Sequence, residues 1–207
     1  NRSIVQGLIL RNTASRAIWF DGSSDNVVIC TFIGTSADGS AWSAVSEGIY
    51  INDGARNRIG TDADGFNDGA EGNLIAGNTA ITITGASSTQ NRVAGNLINL
   101  RLDGTAIIQN SAAINQYGIQ LLNGAINNWI GTDGQRAVNL NARNTIAGVN
   151  VPAIMINNAT QNTIAGNTIG VNTSGTGLLD PARLTSGITI QGGATSNIIG
   201  TNGDGQG

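Results

Sequence analysis

The chain has 207 residues, of which 40% are hydrophobic and only 11% are charged, with a net charge of −3 and a pI of about 4.7. This length fits one sizeable domain. The absence of a basic stripe argues against nucleic acid as a partner. The absence of a long apolar run argues against membrane insertion. The sequence contains no His and no Lys, so acid–base or nucleophilic chemistry through these side chains is excluded, which weighs against an enzyme.

A short strand pattern recurs along the chain, in which a small residue precedes alternating apolar positions. In one copy, Ile81 and Ile83 fall on one side of an extended strand, whereas Thr82 and Thr84 fall on the other. We therefore expect Ile83→Asp to unfold the domain and Thr82→Asp, pointing outward, to cost little. The leading isoleucines of the six copies, spaced 31, 32, 38, 35 and 34 residues apart, are Ile18, Ile49, Ile81, Ile119, Ile154 and Ile188.

An asparagine follows each of these isoleucines after 8 to 10 residues. Asparagine tolerates left-handed backbone conformations, and stacked carboxamides can hydrogen-bond to one another. The pattern predicts a structural ladder formed by Asn26, Asn57, Asn91, Asn128, Asn162 and Asn197. A related motif begins at Asn73 and again 71 residues later at Asn144, which indicates that two kinds of coil alternate.

A coil of three strands separated by three turns fits a repeat of about 34 residues. No stretch of the sequence has a helical apolar period long enough for a crossover helix. The sequence predicts an all-β, right-handed, single-stranded parallel β-helix with about six coils of roughly 31–38 residues and three short strands per coil. Ile49, Ile81 and Ile119 should then be vertical neighbours in its interior.

The boundaries of the repeats suggest open ends. Residues 1–207 form one domain, which begins on the second strand of a coil and ends in the turn after another second strand. Solenoids normally need polar caps. We therefore expect a segment of a longer solenoid or chains stacked end to end, so that the partners are neighbouring solenoid segments or copies of the chain itself.

Three stretches resemble a known family: GIYINDGARNRIGTDADG from Gly48, EGNLIAGN from Glu71 and SNIIGTNGDG from Ser196. They resemble the right-handed parallel β-helix repeats of bacterial extracellular proteins in the pectate-lyase-like superfamily. This resemblance covers essentially the whole chain and implies secretion or cell-surface display, with a substrate groove along the first strand. No catalytic motif of the family matches residue by residue, so no catalytic residue is assigned.

Outward positions of the first strand offer a tentative glycan-binding site. Trp19 and Tyr50 are expected to be stacked neighbours, and exposed aromatic rings can pack against sugar rings. The alternative is that these rings pack across coils or under a loop. The complete outward series reads Trp19, Tyr50, Thr82, Gln120, Met155 and Thr189.

Two groups of carboxylates are further candidates. Asp62, Asp64 and Asp68 surround a glycine with the oxygen-rich spacing that calcium favours, although Glu71 comes too early for an EF-hand; the alternative is a tight turn. The counterparts of this turn near residues 133 and 202 keep fewer acids. Calcium is the only cofactor we consider, and none is required.

Asp21 and Asp53 follow the first strand in adjacent coils and could form an acid–base pair. Glu47 precedes one of these strands, and Arg16 and Arg56 lie nearby. The leading expectation for function is nevertheless a non-catalytic structural or adhesive segment of a secreted or cell-surface bacterial protein, with self-association end to end left open as an alternative to a longer solenoid. The alternative is a carbohydrate-active enzyme or glycan-binding module that uses the outer face of the first strand.

Overall fold

The computed structural model describes residues 2–108, 116–132, 140–179 and 184–200. These residues form 19 short strands, one four-residue helix, α1 (Asp68–Glu71), and one 3-10 turn (Leu140–Ala142). The strands are β1 (Ile4–Gln6), β2 (Ile9–Leu10), β3 (Thr13–Asp21), β4 (Val27–Ile29), β5 (Phe32–Ile33), β6 (Val45–Asn52), β7 (Arg58–Gly60), β8 (Leu74–Ile75), β9 (Thr79–Thr84), β10 (Arg92–Ala94), β11 (Leu97–Ile98), β12 (Tyr117–Leu122), β13 (Trp129–Gly131), β14 (Thr145–Ile146), β15 (Ile154–Asn157), β16 (Thr163–Ala165), β17 (Thr168–Ile169), β18 (Ile188–Gln191) and β19 (Ile198–Ile199).

The strands are arranged in three parallel sheets, and the chain visits each sheet once per coil. Sheet I contains β3, β6, β9, β12, β15 and β18. Sheet II contains β1, β4, β7, β10, β13, β16 and β19, and sheet III contains β2, β5, β8, β11, β14 and β17. The predicted all-β solenoid with three strands per coil is therefore confirmed.

The register of sheet I follows the predicted isoleucine positions. Ile49 pairs with Ile81, and Ile81 pairs with Ile119; all three side chains have no exposed surface. The same position continues through Ile154 to Ile188. The leading isoleucines are thus vertical neighbours, as the spacing of 31 to 38 residues predicts.

Inward positions of the other two sheets complete the core. Sheet II stacks Val28, Ile59 and Val93 on consecutive strands, and sheet III stacks Ile33 and Ile75, all with no exposed surface. Burying an aliphatic side chain stabilises a fold by about 1.5–3 kcal/mol, so the stacked aliphatic positions are the main source of stability.

Glycine ends a strand of sheet II where neighbouring coils approach closely. Gly60 has φ +92°, and a Cβ atom at this position would overlap the carbonyl oxygen of Ala94 in the next coil. Gly131 has φ +93° and would meet the carbonyl oxygen of Ala165 in the same way. This packing explains why the Ile-Gly-Thr motif requires glycine.

Thr82 and Thr84 point away from Ile81 and Ile83, as predicted, but Thr82 is not the exposed position that a low cost of Thr82→Asp requires. Both lie on the outer side of sheet I, opposite the isoleucines, but their exposed fractions are only 2% and 4%. Neighbouring coils cover them: the Thr82 hydroxyl donates to Glu47 at 3.3 Å, and the Asn123 amide donates to the Thr84 hydroxyl at 3.0 Å.

None of the described helices is long and apolar enough to span a membrane.

We predict that Ile83→Asp prevents cooperative folding, because it places an unpaired carboxylate in the dry interior. Thr82→Asp should lower the free energy of unfolding by about 1–3 kcal/mol, because it adds a second carboxylate beside Glu47 in a covered site. Gln120→Glu, which adds a charge at a half-buried outward position of the same sheet, should change it by less than about 0.5 kcal/mol. Urea unfolding followed by circular dichroism measures all three; equal stabilities would contradict the assigned facing of sheet I.

Candidate functional site

The predicted outward series of sheet I exists as one continuous row. Trp19 pairs with Tyr50, and Tyr50 pairs with Thr82. The row then continues through Gln120, Met155 and Thr189. Among these side chains, Trp19 stands out because 54% of its surface is exposed.

Arg16 links the two aromatic rings, which the sequence alone did not reveal. Its guanidinium carbon lies 3.7 Å from the Tyr50 ring centroid and 4.6 Å from the Trp19 ring centroid. Glu47, on the neighbouring strand, accepts a hydrogen bond from Arg16 Nε at 2.8 Å and so fixes the guanidinium in place. Cation–π contacts of this kind stabilise packing.

This arrangement changes what the aromatic pair can do. The guanidinium occupies ring surface of Tyr50 that a sugar would need for stacking, whereas much of the Trp19 indole remains open. Glycan binding at Trp19 and Tyr50 stays a prediction. The structure favours Trp19 as the contact and gives Tyr50 a cross-coil packing role.

The proposed carboxylate pair does not form. Asp21 is aligned with Asn52 and accepts a hydrogen bond from its side-chain amide at 2.8 Å. Asp53 lies one residue further along and accepts from the backbone N–H of Ser87 at 3.0 Å. The register therefore separates the two acids and gives each a structural partner.

The three acids of the Asp62 turn do converge, with one oxygen of each within 4.8 Å of the others. Arg58 lies at the same place, however, and forms ion pairs with Asp62 and with Glu71. Asp68 is buried and accepts a hydrogen bond from the Thr61 hydroxyl at 2.7 Å. These contacts match the tight-turn alternative, and calcium binding stays a prediction. The counterparts at 133–135 and 201–204 lie outside the described residues.

The six predicted asparagines are joined by hydrogen bonds along the solenoid. Each of the first five side-chain amides donates to the side-chain oxygen of the asparagine in the next coil, at 2.9–3.1 Å. The same oxygen accepts the backbone N–H of the previous asparagine, as in the bond from Asn57 N to Asn91. The amide also reaches the previous coil, as in the bond from Asn91 to the Gly54 carbonyl. This ladder occupies the turn between sheets I and II.

A second ladder occupies the turn between sheets II and III. Asn73 donates to Asn96, Asn96 to Asn144 and Asn144 to Asn167, each at 2.9 Å. The first three of these side chains are at most 2% exposed. The sequence motif that begins at Asn73 and Asn144 identified two members of this ladder. The other two, Asn96 and Asn167, were not predicted because they end an Ala-Gly-Asn turn rather than begin a motif.

A ridge of three hairpins was also missed. The ridge consists of residues 35–42, 100–107 and 171–178, each closed by an antiparallel bridge after a strand of sheet III. The hairpins belong to alternate coils, yet they touch: Leu102 N donates to the Gly39 carbonyl at 3.1 Å, and Thr173 N donates to the Gly104 carbonyl at 3.3 Å. Their shared Asp-Gly-Ser, Asp-Gly-Thr and Ser-Gly-Thr turns recur too rarely to be read as a repeat.

Local hydrogen bonds hold these turns together. Donation from the Ser36 and Ser40 hydroxyls lowers the pKa of Asp38 to about 2. Hydrogen bonds from the backbone and hydroxyl of Thr105 likewise lower the pKa of Asp103. Both aspartates therefore act as turn-forming carboxylates that stay ionised at neutral pH.

Comparison with known proteins adds no relative. No family model, no curated protein and no solved structure matches the chain. The geometry of the solenoid and its surfaces is thus the basis for any functional conclusion.

We predict that Asn91→Asp lowers the free energy of unfolding by more than about 3 kcal/mol. The substitution removes two donated hydrogen bonds and places a carboxylate oxygen against the Gly54 carbonyl and the Asn128 side-chain oxygen, with no surface exposed. Asn158→Asp, the same substitution at an exposed turn position, is the control and should be nearly neutral. Thermal unfolding at neutral pH compares the two; equal losses would show that the ladder adds nothing specific.

Proposed function

We propose that the chain is a non-catalytic structural or adhesive part of a secreted or cell-surface bacterial protein, with a right-handed coil of the pectate-lyase-like type. We further propose that it associates end to end with other solenoid coils, including copies of itself. The observation that supports this proposal is the exposure of inward isoleucines in β18 and β19, the last strands that the structure describes.

The exposed isoleucines continue the inward-facing rows of side chains that are buried in the preceding coils. Ile190 pairs with Ile156, yet Ile190 is 52% exposed whereas Ile156 has no exposed surface. Ile199 pairs with Ile164, and their exposed fractions are 42% and 2%. A further coil would cover both isoleucines, at about 1.5–3 kcal/mol each when fully buried. The strand edges beside them offer backbone groups for the same parallel pairing.

The parallel arrangement of the strands sets the direction of association. All paired strands within the three sheets are parallel, so a further coil continues the sheets only with the same polarity. We therefore expect contacts between copies to be head to tail and dependent on concentration.

The outer face of sheet I supports a non-catalytic role. Its acids are engaged in structural contacts: Asp21 with Asn52, Asp53 with the Ser87 backbone and Glu47 with Arg16. These hydrogen bonds connect neighbouring coils, and they do not bring an acid and a base together at one position where a substrate could react. Depolymerisation of any member of a panel of uronates, glucans and galactans would refute this part of the proposal.

End-to-end association predicts oligomers that lengthen with protein concentration in sedimentation velocity and appear as thin filaments in electron microscopy. Ile190→Lys should weaken association about tenfold or more, because it places a charge in the contact. Phe66→Lys is the control: Phe66 is 75% exposed on a side loop, so this variant should associate as the parent does. A monomer at all concentrations, or equal effects of the two variants, would contradict the proposal.

Glycan binding on the outer face of sheet I is the second candidate, favoured by the exposed indole of Trp19. A glycan that binds there should lose about tenfold or more in affinity on Trp19→Ala, whereas Phe66→Ala should bind normally. Calorimetric titration with a glycan selected from an array gives the comparison. Binding that survives Trp19→Ala removes this surface from consideration.

A further inference from the structure

The outer face of sheet III forms the floor of a groove parallel to the solenoid axis. Its outward side chains are stacked in one row, from Phe32 through Leu74 and Leu97 to Thr145 and Thr168. These five strands span about 19 Å at the usual spacing between paired strands. The floor is thus apolar at one end and carries hydroxyl groups at the other.

Walls rise on both sides of this floor. One wall is the ridge of three hairpins, and the other is formed by α1 and the 3-10 turn Leu140–Ala142, which contact each other. A cavity of about 470 Å³ lies at the hydroxyl end, bounded by Leu140 and Thr173. A smaller cavity of about 170 Å³ adjoins it through their common residues Gly69, Gly95 and Leu97.

Among the described residues that line the larger cavity, Arg143 alone is charged. Its Nε atom is buried and has no hydrogen-bond partner in the structure, unlike the guanidinium groups of Arg16 and Arg58, which face carboxylates. The hydroxyl-bearing side chains of Thr168 and Thr173 line the same cavity. Buried polar atoms without partners cost stability, so the unpaired Nε of Arg143 is a donor available to an acceptor bound in the groove.

The geometry points to a sulfate ester on a linear glycan as the ligand, and we propose that this groove binds such a chain with the sulfate at Arg143. A guanidinium fork can satisfy two oxygens of an anion, and the threonine hydroxyls can then donate to a third, which a carboxylate does not have. A sulfate ester carries one charge, which one arginine can neutralise. The leucine side chains along the groove suit the apolar faces of the neighbouring sugars.

The charge of the whole chain restricts the ligand further. A net charge of −3 repels densely charged polymers, and the described groove offers a cation only at Arg143 and, beyond the cavity, at Arg101. The ligand should therefore carry isolated sulfates separated by neutral sugars. This inference does not depend on end-to-end association.

Calorimetric titration of the Ile190→Lys variant, at a concentration at which sedimentation shows monomers, tests the groove separately from filament formation. We expect a linear oligosaccharide with one sulfate to bind at least about tenfold more tightly than the same oligosaccharide without it, or with a carboxylate in its place. Arg143→Gln should remove this preference. Arg56→Gln, on an exposed arginine paired with Asp25 elsewhere on the surface, should keep it.

Circular dichroism confirms that each variant is folded, and Thr168→Val provides a second, milder change that should lower affinity several-fold without removing charge. Equal affinity for the three oligosaccharides, no binding, or an unchanged preference in Arg143→Gln would overturn the proposal.

Discussion

Successive coils stack in register, and every other feature of the molecule depends on this constraint. A residue and its partner in the next coil occupy the same position in the cross-section of the solenoid. A buried aliphatic residue must therefore pack against another aliphatic residue in the next coil, and a turn must pack against a similar turn. The pairing of Ile49, Ile81 and Ile119 satisfies this requirement in sheet I. One misplaced charge disturbs both the coil below and the coil above, because the interior is dry.

The asparagine ladders meet the same constraint with polar groups. A carboxamide inside a ladder, such as that of Asn91, donates forward to the next coil and backward to a carbonyl of the previous one, so that its polar atoms are paired within a buried turn. Two such ladders fix two of the three corners. The third corner, between sheets III and I, is the one at which alternate coils extend hairpins outward. Extra residues are also inserted at the corner between sheets II and III, where α1 and the 3-10 turn precede Asn73 and Asn144, so insertions are accommodated as long as the ladder asparagine itself keeps its place.

The repeated residues of the sequence predicted the core and the first asparagine ladder. The sequence did not predict contacts between side chains of different coils. Period and alternation placed Ile81, Ile83 and the six asparagines of the first ladder, because stacking forces these residue types to recur. The burial of Thr82, by contrast, results from Glu47 and other residues in adjacent coils, which a single-strand pattern does not contain. The contact of Arg16 with two rings and the unpaired Nε of Arg143 also depend on cross-coil geometry. Asp21 and Asp53 were paired wrongly because a shift of one residue decides which side chains meet.

Methyl-labelled isoleucines in solution test the stacked register most directly. A methyl–methyl nuclear Overhauser spectrum should connect Ile49 to Ile81, Ile81 to Ile119 and Ile119 to Ile154, with no cross-peak between Ile49 and Ile119, which lie two coils apart. Absence of the three consecutive contacts, or a direct contact between Ile49 and Ile119, would contradict the solenoid and the surfaces derived from it.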